Sequence, residues 1–107
     1  MRENKFQSDL KTEIRKMFPG CIIAKLDSGD IQGIPDLLIL FENKWAILEC
    51  KKSAKDAEDP RPNQEYYVDK LNRMSFSRFI YPENKEEVLD DLYKTFSSRR
   101  STRSVRR

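Results

Sequence analysis

Two runs decide how this chain reads: Gly33-Ile34-Pro35-Asp36-Leu37-Leu38-Ile39-Leu40-Phe41 and, after Glu42-Asn43-Lys44, Trp45-Ala46-Ile47-Leu48-Glu49-Cys50-Lys51. Leu37 to Phe41 is wholly apolar, the pattern of a central strand buried on both faces. The polar break is short, so the second run is expected to return beside the first. Residues two apart on a strand share a face, so Trp45, Ile47, Glu49 and Lys51 point one way. Two charges thus follow two apolar side chains, and burying them is costly unless they are paired or bind an ion. Asp36 opens the first strand thirteen positions before Glu49. A hairpin that sets it near Glu49 and Lys51 gives two oxygen donors and an ammonium in one place. That is a site for a hard cation with a base or electrostatic partner beside it.

The plainer reading is that Asp36 caps a turn and that Glu49 and Lys51 form an ordinary ion pair at a strand end. The residues upstream weigh against it. Gly33 can take positive φ, while Pro35 lacks a donor and biases Ile34 toward extended geometry, so the chain is delivered stiffly to the Asp36 carboxylate.

The chain of 107 residues is the size of one domain, able to bury one sheet against a few helices. No apolar run approaches the length of a membrane span, and Met1-Arg2-Glu3-Asn4-Lys5 lacks the apolar core of a signal peptide. There is no histidine, which excludes His-based acid–base catalysis and Ser-His-Asp triads. Cys21 and Cys50 belong to no Cys/His cluster, so zinc is not expected. Two unclustered cysteines without a secretory signal suggest free thiols and a reducing, cytoplasmic compartment.

From Arg2 to about Phe18 the spacing predicts a helix whose apolar face is Phe6, Leu10, Ile14 and Met17. At 100° per residue Glu3 falls in the middle of that face, and Glu13 some 60–70° to its side. Glu3 could bring a carboxylate over the hairpin, with Glu13 as the fallback, or could serve only the helix dipole. Pro19-Gly20 stops the helix. Cys21 to Leu26 reads as an edge-side strand, and residues 27–33 as a polar loop. Lys52 to Pro62 reads as a charged loop beside the site, in which Lys52, Lys55 and Arg61 are candidate DNA contacts. Pro62-Asn63 starts a helix to about Met74, with Gln64 on the face of Tyr67, Val68, Leu71 and Met74 or Ser75. Phe76 to Tyr81 is the last strand. The helix Glu83 to Phe96 buries Val88, Leu89, Leu92 and Phe96. The order α-β-β-β-α-β-α defines an α/β fold, a mixed sheet flanked by helices, with residues 62–75 as the crossover to a parallel last strand.

Charge is unevenly placed. The 21 Lys and Arg exceed the 18 Asp and Glu by three, yet the last eleven residues hold five Arg and no acid. Residues 1–96 are therefore near −2, and the tail 97–107 is expected to be disordered, with Arg99 and Arg100 able to meet phosphates. A merely solvated end is the alternative.

Asp36, Glu49 and Lys51 resemble the PD-(D/E)xK nuclease signature. More narrowly, Glu3, the Gly33-x-Pro35-Asp36 stretch, Glu49-Cys50-Lys51 and Gln64, in that order, are similar to the VRR-NUC domain, a phage and repair branch close to the Holliday junction resolvases. The likeness covers residues 3 to about 92. It implies a restriction-endonuclease-like fold and Mg²⁺ (or Mn²⁺) held by Asp36, Glu49, Glu3 and the backbone carbonyl of Cys50. It also implies that Lys51 positions or deprotonates the attacking water or stabilises the pentavalent phosphorus, and that Gln64 orients the water or a ligand. Lys25 and Ser28 become candidate substrate contacts. The implied activity is a structure-specific DNA endonuclease acting on branched or four-way DNA. A sequence-reading restriction- or repair-type cutter and a non-catalytic DNA-binding protein on the same fold are the alternatives. Expected partners are DNA and a second copy of the chain, without membrane or nucleotide cofactor. The location would be the cytoplasm, the host's if the gene is phage-borne. Tyr66, Phe76, Phe79 and Tyr93 are the apolar residues left over for a dimer contact.

Overall fold

The computed structural model describes residues 3–27 and 29–98, the side chain of Glu3 excepted. Its elements are α1 (Glu3–Met17), β1 (Ile22–Lys25), β2 (Leu37–Phe41), β3 (Lys44–Cys50), α2 (Ala54–Ala57), α3 (Gln64–Met74), β4 (Ser77–Ile80) and α4 (Lys85–Ser97). The expected mixed α/β order is present, with one short helix, α2, added to it. The stretch 52–62 is thus not a plain loop. Ser53 caps α2 by accepting a hydrogen bond from the Asp56 backbone N–H, the first half of a capping box that Ser53-x-x-Asp56 spells out in the sequence.

The four strands lie in the order β1-β2-β3-β4. β1–β2 and β2–β3 are antiparallel, with Leu37 opposite Leu48 and Phe41 opposite Lys44 around the two-residue turn Glu42-Asn43. β4 runs parallel to β3, as the α3 crossover requires. One sheet face carries the main core: Leu37 and Ile39 of β2, Ala46, Leu48 and Cys50 of β3 and Ile80 of β4. Phe6, Leu10 and Ile14 of α1 and Val88, Leu89, Leu92 and Phe96 of α4 close over it. Phe18 meets Phe96 edge-on and Phe41 at a tilt where the two helices end. Phe76, left over in the sequence as a dimer candidate, is 2% exposed and belongs to this core. It sits one residue before β4, where its carbonyl accepts from the Ile47 N–H, so its ring is committed inward. On the other face α3 packs over β3 and β4, with Val68 buried beneath it.

Among the described residues, no helix is long and apolar enough to cross a membrane. The last helix runs through Ser97, and its carboxyl end is closed by the Ser98 N–H donating to the Thr95 carbonyl. The folded body therefore extends one to two residues past position 96. Arg99, Arg100 and the rest of the basic tail lie outside the described residues.

Candidate active site

Asp36 stands one residue before β2, and Leu37 pairs with Leu48, so the register carries Asp36 opposite Glu49. The approach is held by the backbone: the Leu26 N–H donates to the Asp36 carbonyl at 2.7 Å. Pro35 is fully buried. Gly33, at φ +92°, packs so tightly on Asn63 that a Cβ would lie 2.6 Å from the Asn63 Cβ. The loop before Asp36 is thus locked against the start of α3, the helix that supplies Gln64.

The polar groups form one connected set. The Cys50 N–H donates to Asp36 Oδ2 at 3.2 Å. Lys51 Nζ donates to Gln64 Oε1 at 2.8 Å, and Gln64 Nε2 donates to Glu49 Oε2 at 3.1 Å. The Arg61 N–H also donates to Gln64 Oε1, at 2.9 Å. Two donors on the oxygen and a carboxylate on the nitrogen fix which way the amide points. Lys51 Nζ and Glu49 Oε2 form an ion pair at 3.9 Å, and Gln64 hydrogen-bonds to both partners. The side chains of Lys51 and Glu49 are 8% and 5% exposed, so the pair is almost dry and its charges interact far more strongly than at a surface.

These groups face a cleft of about 380 Å³ lined by Asp36, Glu49, Lys51 and Gln64, with Lys52 and Arg61 at its rim. Asp56 and Asp59 also reach it, from α2 and the turn after it. Neither was singled out in the sequence, because α2 itself was not. The donors are hard: two carboxylates and the Cys50 carbonyl, which lies on the same side of β3 as the Cys50 N–H. The Cys50 thiol points to the opposite face and is buried in the core. Among the described residues no group of three or more His, Cys, Asp and Glu is set to hold a metal, so Asp36 and Glu49 stand as a pair.

The remaining expected residues divide. Glu3 begins α1, but its side chain lies outside what is described, as does Ser28. Glu13, the fallback acid, is ion-paired at 2.8 Å with Lys85 of α4 and lines a hollow between those helices, away from the cleft. Its offset from the apolar face carries it to α4 instead of the hairpin. Lys55 is exposed on α2 and does not line the cleft. Lys25 is held by Gln7, its Nζ donating to Gln7 Oε1 at 3.1 Å, and likewise lies outside the cleft lining. Gln7 is 6% exposed and was missed; the signal was a polar residue beside Phe6 on the inward face of α1.

Compared with models of known protein families and with curated proteins, the sequence finds no match.

Proposed function

We propose that this protein is a metal-dependent DNA endonuclease of the PD-(D/E)xK type, hydrolysing phosphodiester bonds in branched DNA. The observation that carries the reading is the opposition of Asp36 and Glu49 on neighbouring strands, with Lys51 tethered beside them by Gln64. The sequence likeness to VRR-NUC domains points the same way.

The donor chemistry fits Mg²⁺ or Mn²⁺, which take carboxylate and carbonyl oxygens in preference to sulfur. Asp36, Glu49 and the Cys50 carbonyl would hold the ion. When bound, it supplies charge stabilisation to the phosphate and activates a water. The chain's own contribution is positioning. Asp36 is fixed through its hydrogen bond from Cys50, and Glu49 through Gln64. The Lys51 ammonium has three donors, one of them spent on Gln64, and can meet negative charge growing on phosphate oxygens. Lys52 and Arg61 at the rim offer sequence-neutral contacts to a phosphate backbone.

The test is a cleavage assay on four-way, flap, splayed and linear DNA with Mg²⁺ or Mn²⁺. The expected result is metal-dependent cutting of branched substrates that Asp36→Asn and Glu49→Gln each abolish. Cutting by either variant at the wild-type rate would remove this site from the chemistry. Equal cutting of linear and branched DNA would keep the nuclease and remove the branched substrate.

A further inference from the structure

A groove of about 960 Å³ lies between α2, α3 and β4 and shares no lining residue with the cleft of Asp36 and Glu49. Val68, Phe79, Tyr66 and Tyr81 give it apolar and aromatic surface. Its acids are Glu58, Glu65 and Asp69, against Arg78 as the cation of the lining. Asp69 is paired with Arg73, and the Arg78 guanidinium is spent on Asn72, the Ser77 carbonyl and the Phe76 ring. Among the described residues Glu58 and Glu65 form no ion pair, so the groove keeps uncompensated negative charge.

A second observation lies at the same place. Ser77 lines the groove and is 1% exposed, and among the described residues its Oγ has no hydrogen-bond partner. Ile80 faces the main core, so the alternation of β4 turns Ser77 and Phe79 the other way, toward Val68 and the groove. A buried hydroxyl without a partner is costly, and a polar group of a ligand would supply one. The backbone of β4 is already satisfied on this side. Asn72 accepts from the Ser77 N–H, while Asn84 donates to the Phe79 carbonyl and accepts from the Tyr81 N–H. The edge is thus blunted against an added strand, and an occupant has to be held by side chains.

We propose that this groove binds an extended, arginine-bearing segment of a partner protein. Arginine has the two properties the lining asks for: an apolar stem to lie on Phe79 and Tyr66, and a planar cation for Glu58, Glu65 and the aromatic faces. Its several N–H donors can also reach an acceptor such as Ser77 Oγ. The same acids repel DNA and anionic lipid, which need cations to neutralise them. The proposal is independent of the nuclease reading, since the two sites have separate linings.

The test is fluorescence anisotropy of a labelled hexa-arginine peptide titrated with the full chain at low salt. Saturable binding is expected, with a dissociation constant on the order of 10 μM. Glu58→Gln combined with Glu65→Gln should weaken it about tenfold, and Tyr66→Ala, which changes no charge, about fivefold. Glu86→Gln combined with Glu87→Gln, in the acidic hollow between α1 and α4, should change it less than about twofold. Ser77→Ala should melt no lower than wild type and weaken the peptide about threefold. All these positions except Ser77 are exposed, so the variants should keep the wild-type circular dichroism. Absence of saturable binding overturns the proposal. So do equal losses from the two acid pairs, which would mean unselective charge attraction, and binding indifferent to Tyr66→Ala. A Ser77→Ala variant that melts lower and binds as wild type also counts against it, because the hydroxyl would then serve the fold alone.

Discussion

Gly33 joins backbone geometry to the site in a single residue. Its φ of +92° is costly for any side chain, and a Cβ would meet Asn63 at 2.6–2.9 Å, partly against backbone atoms that cannot swing aside. Gly33→Ala should therefore destabilise the fold by about 2 kcal/mol or more and push the start of α3 away from Asp36. Thermal melting would read the first effect. The second would appear as a loss of activity larger than the loss of folded protein explains. Gly20→Ala, at φ +90° with nothing within 4 Å, is the control that carries the strain without the collision. At Glu49 the choice of substitution matters for a related reason. Glu49→Ala leaves the nearly buried Lys51 ammonium short of its counter-charge and should cost about 3 kcal/mol of stability. Glu49→Gln keeps the volume and an acceptor for Gln64 but removes the same counter-charge, so it should melt between Glu49→Ala and wild type while losing metal-dependent cleavage. If Glu49→Ala melts at the wild-type temperature, the pair is not the dry ion pair described. Asp36 is only half-buried, and Asp36→Asn preserves an acceptor for the Cys50 N–H, so its stability cost should be small.

Among the elements, α1 and α4 are joined at their polar margin by Glu13 and Lys85. The hydrogen bond from Lys85 to Glu13 holds the Lys85 ammonium above its usual pKa of 10.5, outweighing the opposing effect of burial. A raised lysine pKa contributes stability fully below the unfolded value and loses it as pH climbs through the folded one. The contribution is therefore constant at neutral pH and fades from about pH 10 upward. Lys85→Met should lower stability by less than about 1 kcal/mol at pH 7, since both partners are partly solvated. Its melting temperature should then fall less steeply than wild type above pH 10; parallel curves would mean that the pair contributes nothing. Short α2 illustrates a different dependence. It is capped by Ser53 and tied to the start of α4 through the Ala54 N–H donating to Glu83 Oε1, and four residues of helix would not persist without such ties.

For the whole molecule, charge and shape act at separate places. The 18 acids all lie before position 97, while five of the Arg lie from position 99 onward, so the body alone is weakly acidic. Each Arg that neutralises a phosphate adds nearly one unit to the slope of log affinity against log salt. Deleting residues 99–107 should flatten that slope by up to about five units and weaken binding to all DNA shapes alike, while sparing cleavage at saturating DNA. An unchanged slope would make the tail a bystander, and loss confined to one shape would make it a reader of structure.

The sequence by itself determined the elements, α2 excepted, and the pairing of the central strands. Apolar runs of strand length, helical stripes such as Val88-Leu89-Leu92-Phe96, and breakers such as Pro19-Gly20 act locally, so periodicity is enough to read them. The opposition of Asp36 and Glu49 was legible for the same reason: the break between their strands is so short that the register leaves little choice. Tertiary structure alone decided that Gln64 bridges Lys51 and Glu49, that Gly33 seats on Asn63, that Glu13 turns to Lys85 and that Phe76 lies in the core. It also left Ile22 and Leu40 exposed on the sheet face that α3 covers over β3 and β4. Each of these depends on where elements far apart in the chain come to rest. A single element's periodicity gives the face a residue occupies; only packing gives the neighbour that face meets.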